Sequence, residues 1–99
     1  MKYKIIFHPV AEKEFNDAYY WYEEQLAGLG YRFEECIDIK LNQITSNPRL
    51  FPKGKRIFRE ALVDTFPYQL VYKILEKEKV VFIVAVYHSS RNPTKKYRK

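Results

Sequence analysis

Val80-Val81-Phe82-Ile83-Val84-Ala85-Val86-Tyr87 is the longest unbroken apolar run in this 99-residue chain, and its reading decides the fold. This run, β-branched or aromatic at every position but Ala85 and set between turn signals, forms a strand, and the absence of a polar alternate residue implies cover on both faces. The charge cluster Glu76–Lys79 bounds it before, and His88-Ser89-Ser90-Arg91-Asn92-Pro93 bounds it after. Immediately upstream, Tyr68–Leu75 alternates, with Gln69, Val71 and Lys73 opposite Leu70, Tyr72 and Ile74. The four residues between the two runs make a hairpin-length turn.

Working outward, Ile57–Val63 is a third strand, with Ile57, Arg59, Ala61 and Val63 on one side and Phe58, Glu60 and Leu62 on the other. At the other end of the chain, Tyr3–Phe7 is a short strand closed by His8-Pro9, and proline suits the first turn of a helix. From Pro9 to Leu26, Ala11, Phe15, Ala18, Tyr22 and Leu26 recur as one helical face, with Glu12, Glu14, Asp17, Glu23 and Glu24 mostly off it. Gly28-Leu29-Gly30 breaks that helix. A second face follows in Leu29, Phe33, Ile37, Leu41 and Ile44, supported by Cys36, and Asn47-Pro48 ends it. The link is so short that the helices pack as an antiparallel hairpin. The pattern predicts one α+β domain over residues 1–99, ordered β-α-α-β-β-β, with the helical hairpin on one face of a mainly antiparallel four-stranded sheet. It also predicts burial of Tyr68 and Tyr72. The opposite face of the sheet would then carry Arg59, the 53–56 loop, His88 and the tail.

The net charge of +6 is polarised: residues 1–52 carry −2 and residues 53–99 carry +8. Such an imbalance points to an acidic partner, either nucleic acid or an acidic protein segment. Cys36 is the only cysteine, which excludes an internal disulfide and suits a reducing cytoplasm. Charges at Lys2, Lys4, Glu12, Lys13 and Glu14 interrupt any secretory leader, and no apolar run is long enough to span a bilayer. Three glycines leave no phosphate-cradling loop, and no His/Cys pair has metal-ligand spacing, so neither cofactor nor metal is expected.

Two functional readings remain. The cations Lys53, Lys55, Arg56, Arg59, Arg91, Lys95, Lys96 and Arg98, with Tyr97 among them, form a surface for an anionic target or partner. The same surface could cleave RNA without metal if His88 moved a proton, Arg59 and Arg91 stabilised the phosphate and Tyr97 stacked or donated a proton.

The spacings Ala18-x-x-Trp21-Tyr22, Gly28-Leu29-Gly30-x-x-Phe33, Asn47-Pro48-x-x-Phe51-Pro52, Arg59, Phe66-Pro67-Tyr68-x-x-x-Tyr72 and Ala85-Val86-x-His88-x-x-Arg91-x-Pro93 resemble the RelE/ParE superfamily of toxins from bacterial type II toxin–antitoxin modules. The likeness covers nearly the whole chain and leans to the ParE-like branch. It implies a growth-inhibiting toxin, of the kind linked to plasmid stabilisation, held inactive by a cognate antitoxin. ParE-like members poison DNA gyrase and are not nucleases. RelE-like members are ribosome-dependent mRNA endoribonucleases, and by that likeness Arg59 lies where they carry a catalytic arginine. A degenerate member that binds an antitoxin and harms nothing is the third reading.

Overall fold

The computed structural model describes residues 2–90. Their elements run β1 (Lys4–Phe7), α1 (Pro9–Gln25), α2 (Leu29–Ser46), β2 (Arg59–Leu62), β3 (Tyr68–Leu75) and β4 (Val80–His88). This is the α+β order that the sequence implies. The sheet is ordered β1-β4-β3-β2. The last three strands form an antiparallel meander, and β1 returns to lie parallel to β4. β4 is central and buried on both faces, as its apolar run requires.

The helices pack on one face of the sheet. Phe33, Ile37, Leu41 and Ile44 of α2 and Ala11 and Ala18 of α1 close over Ala61, Tyr68, Leu70, Tyr72, Val81, Ile83 and Val86. On the opposite face Phe58, Val71, Val84, Ala85 and Tyr87 make a second cluster. Strict alternation along β4 cannot produce this division. Val71 pairs with Ala85 and Tyr72 with Ile83, which leaves Val84 as an extra residue in β4. A bulge of this kind shifts every later side chain to the other face. Beyond it, Val86 and then His88 face the helices.

Local chemistry sets the ends of the helices. His8 caps α1, its Nδ1 accepting from the Val10 amide at 3.0 Å, with Pro9 in the first turn. The link between the helices differs from a simple glycine stop. α1 ends at Leu26 in extended conformation, so Leu26 is exposed rather than part of the buried face. Gly28, at φ 90°, is the residue that starts α2. The Glu23 carboxylate reaches across from α1 and accepts from the amides of Gly28 at 2.8 Å and Gly30 at 2.9 Å. It thereby satisfies two donors that the first turn of α2 leaves open. A Cβ at Gly30 would lie 2.5 Å from the Tyr19 carbonyl oxygen, so the helices meet there only because the residue is glycine.

Candidate functional site

Two regions on the helix side of the sheet gather the residues that carry chemistry, and the register separates them. β3 and β4 pair from Tyr68–His88 at one end to Leu75–Val80 at the other. Seven residue steps at the rise of a strand make that span about 23 Å.

From the level of Tyr72 towards the Leu75–Val80 end stands the segment between α2 and β2. It carries Lys53, Lys55 and Arg56, all exposed. Its backbone folds onto β2 as a further rung: Lys53 bridges Arg59, and the Glu60 amide donates to the Pro52 carbonyl at 3.1 Å. The Gly54 amide donates to the Phe58 carbonyl at 2.8 Å and the Phe58 amide to the Lys55 carbonyl at 3.1 Å. Ile57 and Phe58 therefore belong to a turn, and β2 is shorter than the alternation 57–63 predicts. Arg59 and Tyr72 are opposite each other on neighbouring strands. The Arg59 guanidinium donates through Nη1 to the Phe51 carbonyl at 2.7 Å and reaches the Arg49 carbonyl at 3.4 Å. The Tyr72 hydroxyl donates to the Pro48 carbonyl at 2.6 Å. Three carbonyls of one loop are thus held by one cross-strand pair. Burial pushes the Tyr72 hydroxyl up to about 12, against the opposing pull of Arg59, so it stays a donor at neutral pH. Lys40, itself buried, sits 5.4 Å from the centre of the Phe51 ring and 3.8 Å from Asp64.

The same loop is tied at its start. Arg49 Nη2 donates to Glu76 at 2.6 Å, and Glu76 also accepts from the Tyr3 hydroxyl at 2.7 Å and Lys79 at 3.0 Å. The Tyr3, Arg49 and Lys79 donors together hold the Glu76 carboxyl down at about 2.

At the Tyr68–His88 end, α1 and the sheet enclose a groove of about 530 Å³. Glu14, Asp17, Trp21 and Tyr22 line it from α1, and Pro67, Tyr68, Val86 and His88 line it from the strands. Its floor continues a ring cluster in which Phe33 meets Tyr22, Phe66 and Tyr68 at 5.3, 5.2 and 5.2 Å between centres. Tyr68 stands edge-on to His88 at 5.0 Å. His88 Nδ1 accepts from the Ser90 amide at 3.1 Å, which leaves Nε2 as the protonated nitrogen of the neutral ring. Glu14 Oε1 accepts from the Val86 amide at 3.0 Å, where the bulge has opened the ladder.

The sequence expectation that Arg59 and His88 lie on the face away from the helices is corrected here. Arg59 shares the period of Ala61, and Ala61 is in the helix-side core. His88 is brought to the same side by the bulge. Nor do the two meet. Arg59 is level with Tyr72 and His88 with Tyr68, four residues and about 13 Å apart along β3. Arg91, Lys95, Lys96, Tyr97 and Arg98 lie outside the described residues. Sequence reasoning missed Glu23 as a cap, Tyr72 as the partner of Arg59, and the groove itself. For the groove a signal was present, because Ala18, Trp21, Tyr22, Pro67, Tyr68 and His88 all belong to the spacings that carry the family likeness.

The fold is shared with toxins of known structure. The E. coli RelE toxin, solved as a mutant in the free state, superposes with a TM-score of 0.69 at 24% identity, over 91% of this chain and 86% of that one. The intact E. coli RelBE toxin–antitoxin complex gives 0.69 at 24% identity, over 90% and 99%. The chromosomal ParDE system of P. aeruginosa gives 0.74 at 9% identity, over 88% and 96%. No curated protein matches the chain. The family model described as the ParE toxin of the type II toxin–antitoxin system parDE matches residues 5–93. This chain therefore belongs to the ParE toxin family, within the RelE/ParE superfamily of type II toxin–antitoxin toxins.

Proposed function

We propose that the chain is a cytoplasmic, ParE-like toxin that acts by binding DNA gyrase and is neutralised by a cognate antitoxin. The observation that carries this reading is the state of Arg59. A nuclease would aim this guanidinium at a phosphate, whereas here it donates to the Phe51 and Arg49 carbonyls. His88 stands about 13 Å from it along β3, and the two side chains make no contact with each other. What the loop offers to a partner is Lys53, Lys55 and Arg56, an exposed cationic edge on a held backbone. That supports a binding surface for an acidic protein segment, from antitoxin or target. Relatives of the fold have been solved with antitoxin, which supports the antitoxin half of the reading.

The test is co-purification of gyrase with the full chain freed of antitoxin. Its recovery, and its loss in Lys53→Ala/Lys55→Ala/Arg56→Ala, is the expected result. The RelE-like alternative draws on the same exposed lysines. It predicts codon-linked cuts in mRNA on ribosomes that vanish in Arg59→Ala or His88→Ala. Growth arrest with message uncut ends it, and normal growth on expressing the chain alone leaves only a non-toxic antitoxin-binding member.

A further inference from the structure

Lys40 is the one charged side chain that is buried among the described residues. It lies on the apolar stripe of α2, three positions after Ile37 and four before Ile44, and its side chain is 10% exposed. A methionine of similar length would fill that space without taking an ammonium out of water, so the core itself gains nothing from the charge. What the charge touches lies on the two flanks of β2. Its Nζ sits 5.4 Å from the centre of the Phe51 ring, in the segment that enters the strand, and 3.8 Å from Asp64, just past the strand's end. Asp64 is 72% exposed and that pair is long, so water weakens it and leaves the ring as the firmer contact. Phe51 is thereby held at both its ends. Its carbonyl accepts from Arg59 Nη1 at 2.7 Å, and its half-buried ring meets the Lys40 ammonium. The exposed cations Lys53, Lys55 and Arg56 follow directly in the chain.

We propose that Lys40 is the positioning residue of the cationic loop: acting through the Phe51 ring, it sets the direction in which Lys53, Lys55 and Arg56 meet a partner. A hydrogen bond to the Phe51 carbonyl fixes one point of the loop and leaves it free to pivot there. The ammonium adds a second fixed point. A ring attracts a cation over its face and not at its edge, so this contact is directional where aliphatic packing is not. A loop ordered in advance loses less conformational freedom when a partner binds, and the partner is held more tightly for it. The inference rests on the reading above for what the loop meets, and not for the positioning itself.

The test is Lys40→Met in the full chain, which keeps the length of the side chain and deletes the ammonium. This variant should melt at or above the parent, because no charge is left in the core. Hydrogen exchange at the Gly54 and Glu60 amides should quicken by about two- to tenfold while the centre of β4 is unchanged. Half-inhibition of gyrase should need more toxin by about the same factor, the range for one further side chain ordered on binding. In a Phe51→Leu chain, whose loop is already loosened, Lys40→Met should move neither quantity further. A merely structural lysine would instead lower the melting temperature and speed exchange throughout the molecule. That result, unchanged loop exchange in Lys40→Met, unchanged inhibition of a gyrase that the parent does inhibit, or full additivity with Phe51→Leu overturns the proposal. A parent chain that leaves gyrase untouched removes the target alone, and loop exchange then decides the role of Lys40 by itself.

Discussion

The two ends of the β3–β4 hairpin are built from different forces. At the Tyr68–His88 end, rings of Tyr22, Phe33, Phe66, Tyr68 and His88 interlock edge to face with few directional bonds. Towards the Leu75–Val80 end, the loop between α2 and β2 is fixed by hydrogen bonds to its carbonyls and by an ion-pair cluster, with Phe51 and Phe58 packed on the two cores. Ring packing yields a stable platform with an open groove at its edge. Polar clamping holds a loop that keeps Lys53, Lys55 and Arg56 exposed. The contrast teaches where damage should be global and where it should be local.

The largest effect belongs to the ring end. Phe33→Ala empties the centre of the cluster and should cost about 3–5 kcal/mol, read from denaturant unfolding. A nearly unchanged midpoint would mean that the rings are not what holds that end. Next come the two clamps. Tyr72→Phe leaves the Pro48 carbonyl without its donor, and Arg59→Ala frees those of Phe51 and Arg49, each at about 1–3 kcal/mol. The two hold one loop, so the double variant should cost less than the singles added, which a double-mutant cycle measures. In both, hydrogen exchange at the Gly54 and Glu60 amides should quicken while amides in the centre of β4 stay protected. Strict additivity with uniform exchange would erase the distinction between the ends.

Thr65 sharpens it further. It sits in the turn before Phe66 at φ 75°, a conformation that costs a β-branched residue about 1–3 kcal/mol, so Thr65→Gly should raise the melting temperature. The smallest effect is in the pH curve. The Glu76 carboxyl is held at about 2 against an ordinary 4.5, so the native state binds fewer protons than the unfolded chain in that window. Its contribution is present above pH 4.5 and is lost as pH falls towards 2. The acid limb of the stability curve should flatten in Glu76→Gln, and an identical limb would remove the ion cluster from the account.

Much of this architecture was written in local patterns. The apolar run of β4, the alternation in β3 and the helical spacing of Phe33, Ile37, Leu41 and Ile44 each encode burial directly, and the structure places them accordingly. The site was legible only as residue types. The extra residue at Val84 has no sequence signature, because valine and alanine suit either face, and it alone decides which way His88 points. The clamp of Arg59 and Tyr72 joins residues 13 apart in sequence to carbonyls of a third segment, and backbone carbonyls carry no residue identity at all. Glu23 read as an exposed acid because its partners are two glycine amides beyond the end of its own helix.

The central claim is that this chain acts by binding, with Arg59 holding a loop rather than cleaving a phosphate. The most direct measurement adds the full chain, freed of antitoxin, to a gyrase supercoiling reaction. The account predicts loss of supercoiling with accumulation of cleaved DNA held by gyrase, and loss of both when Lys53, Lys55 and Arg56 are replaced by alanine. Undisturbed supercoiling, from a chain that still arrests growth and cuts ribosome-bound message, would contradict it.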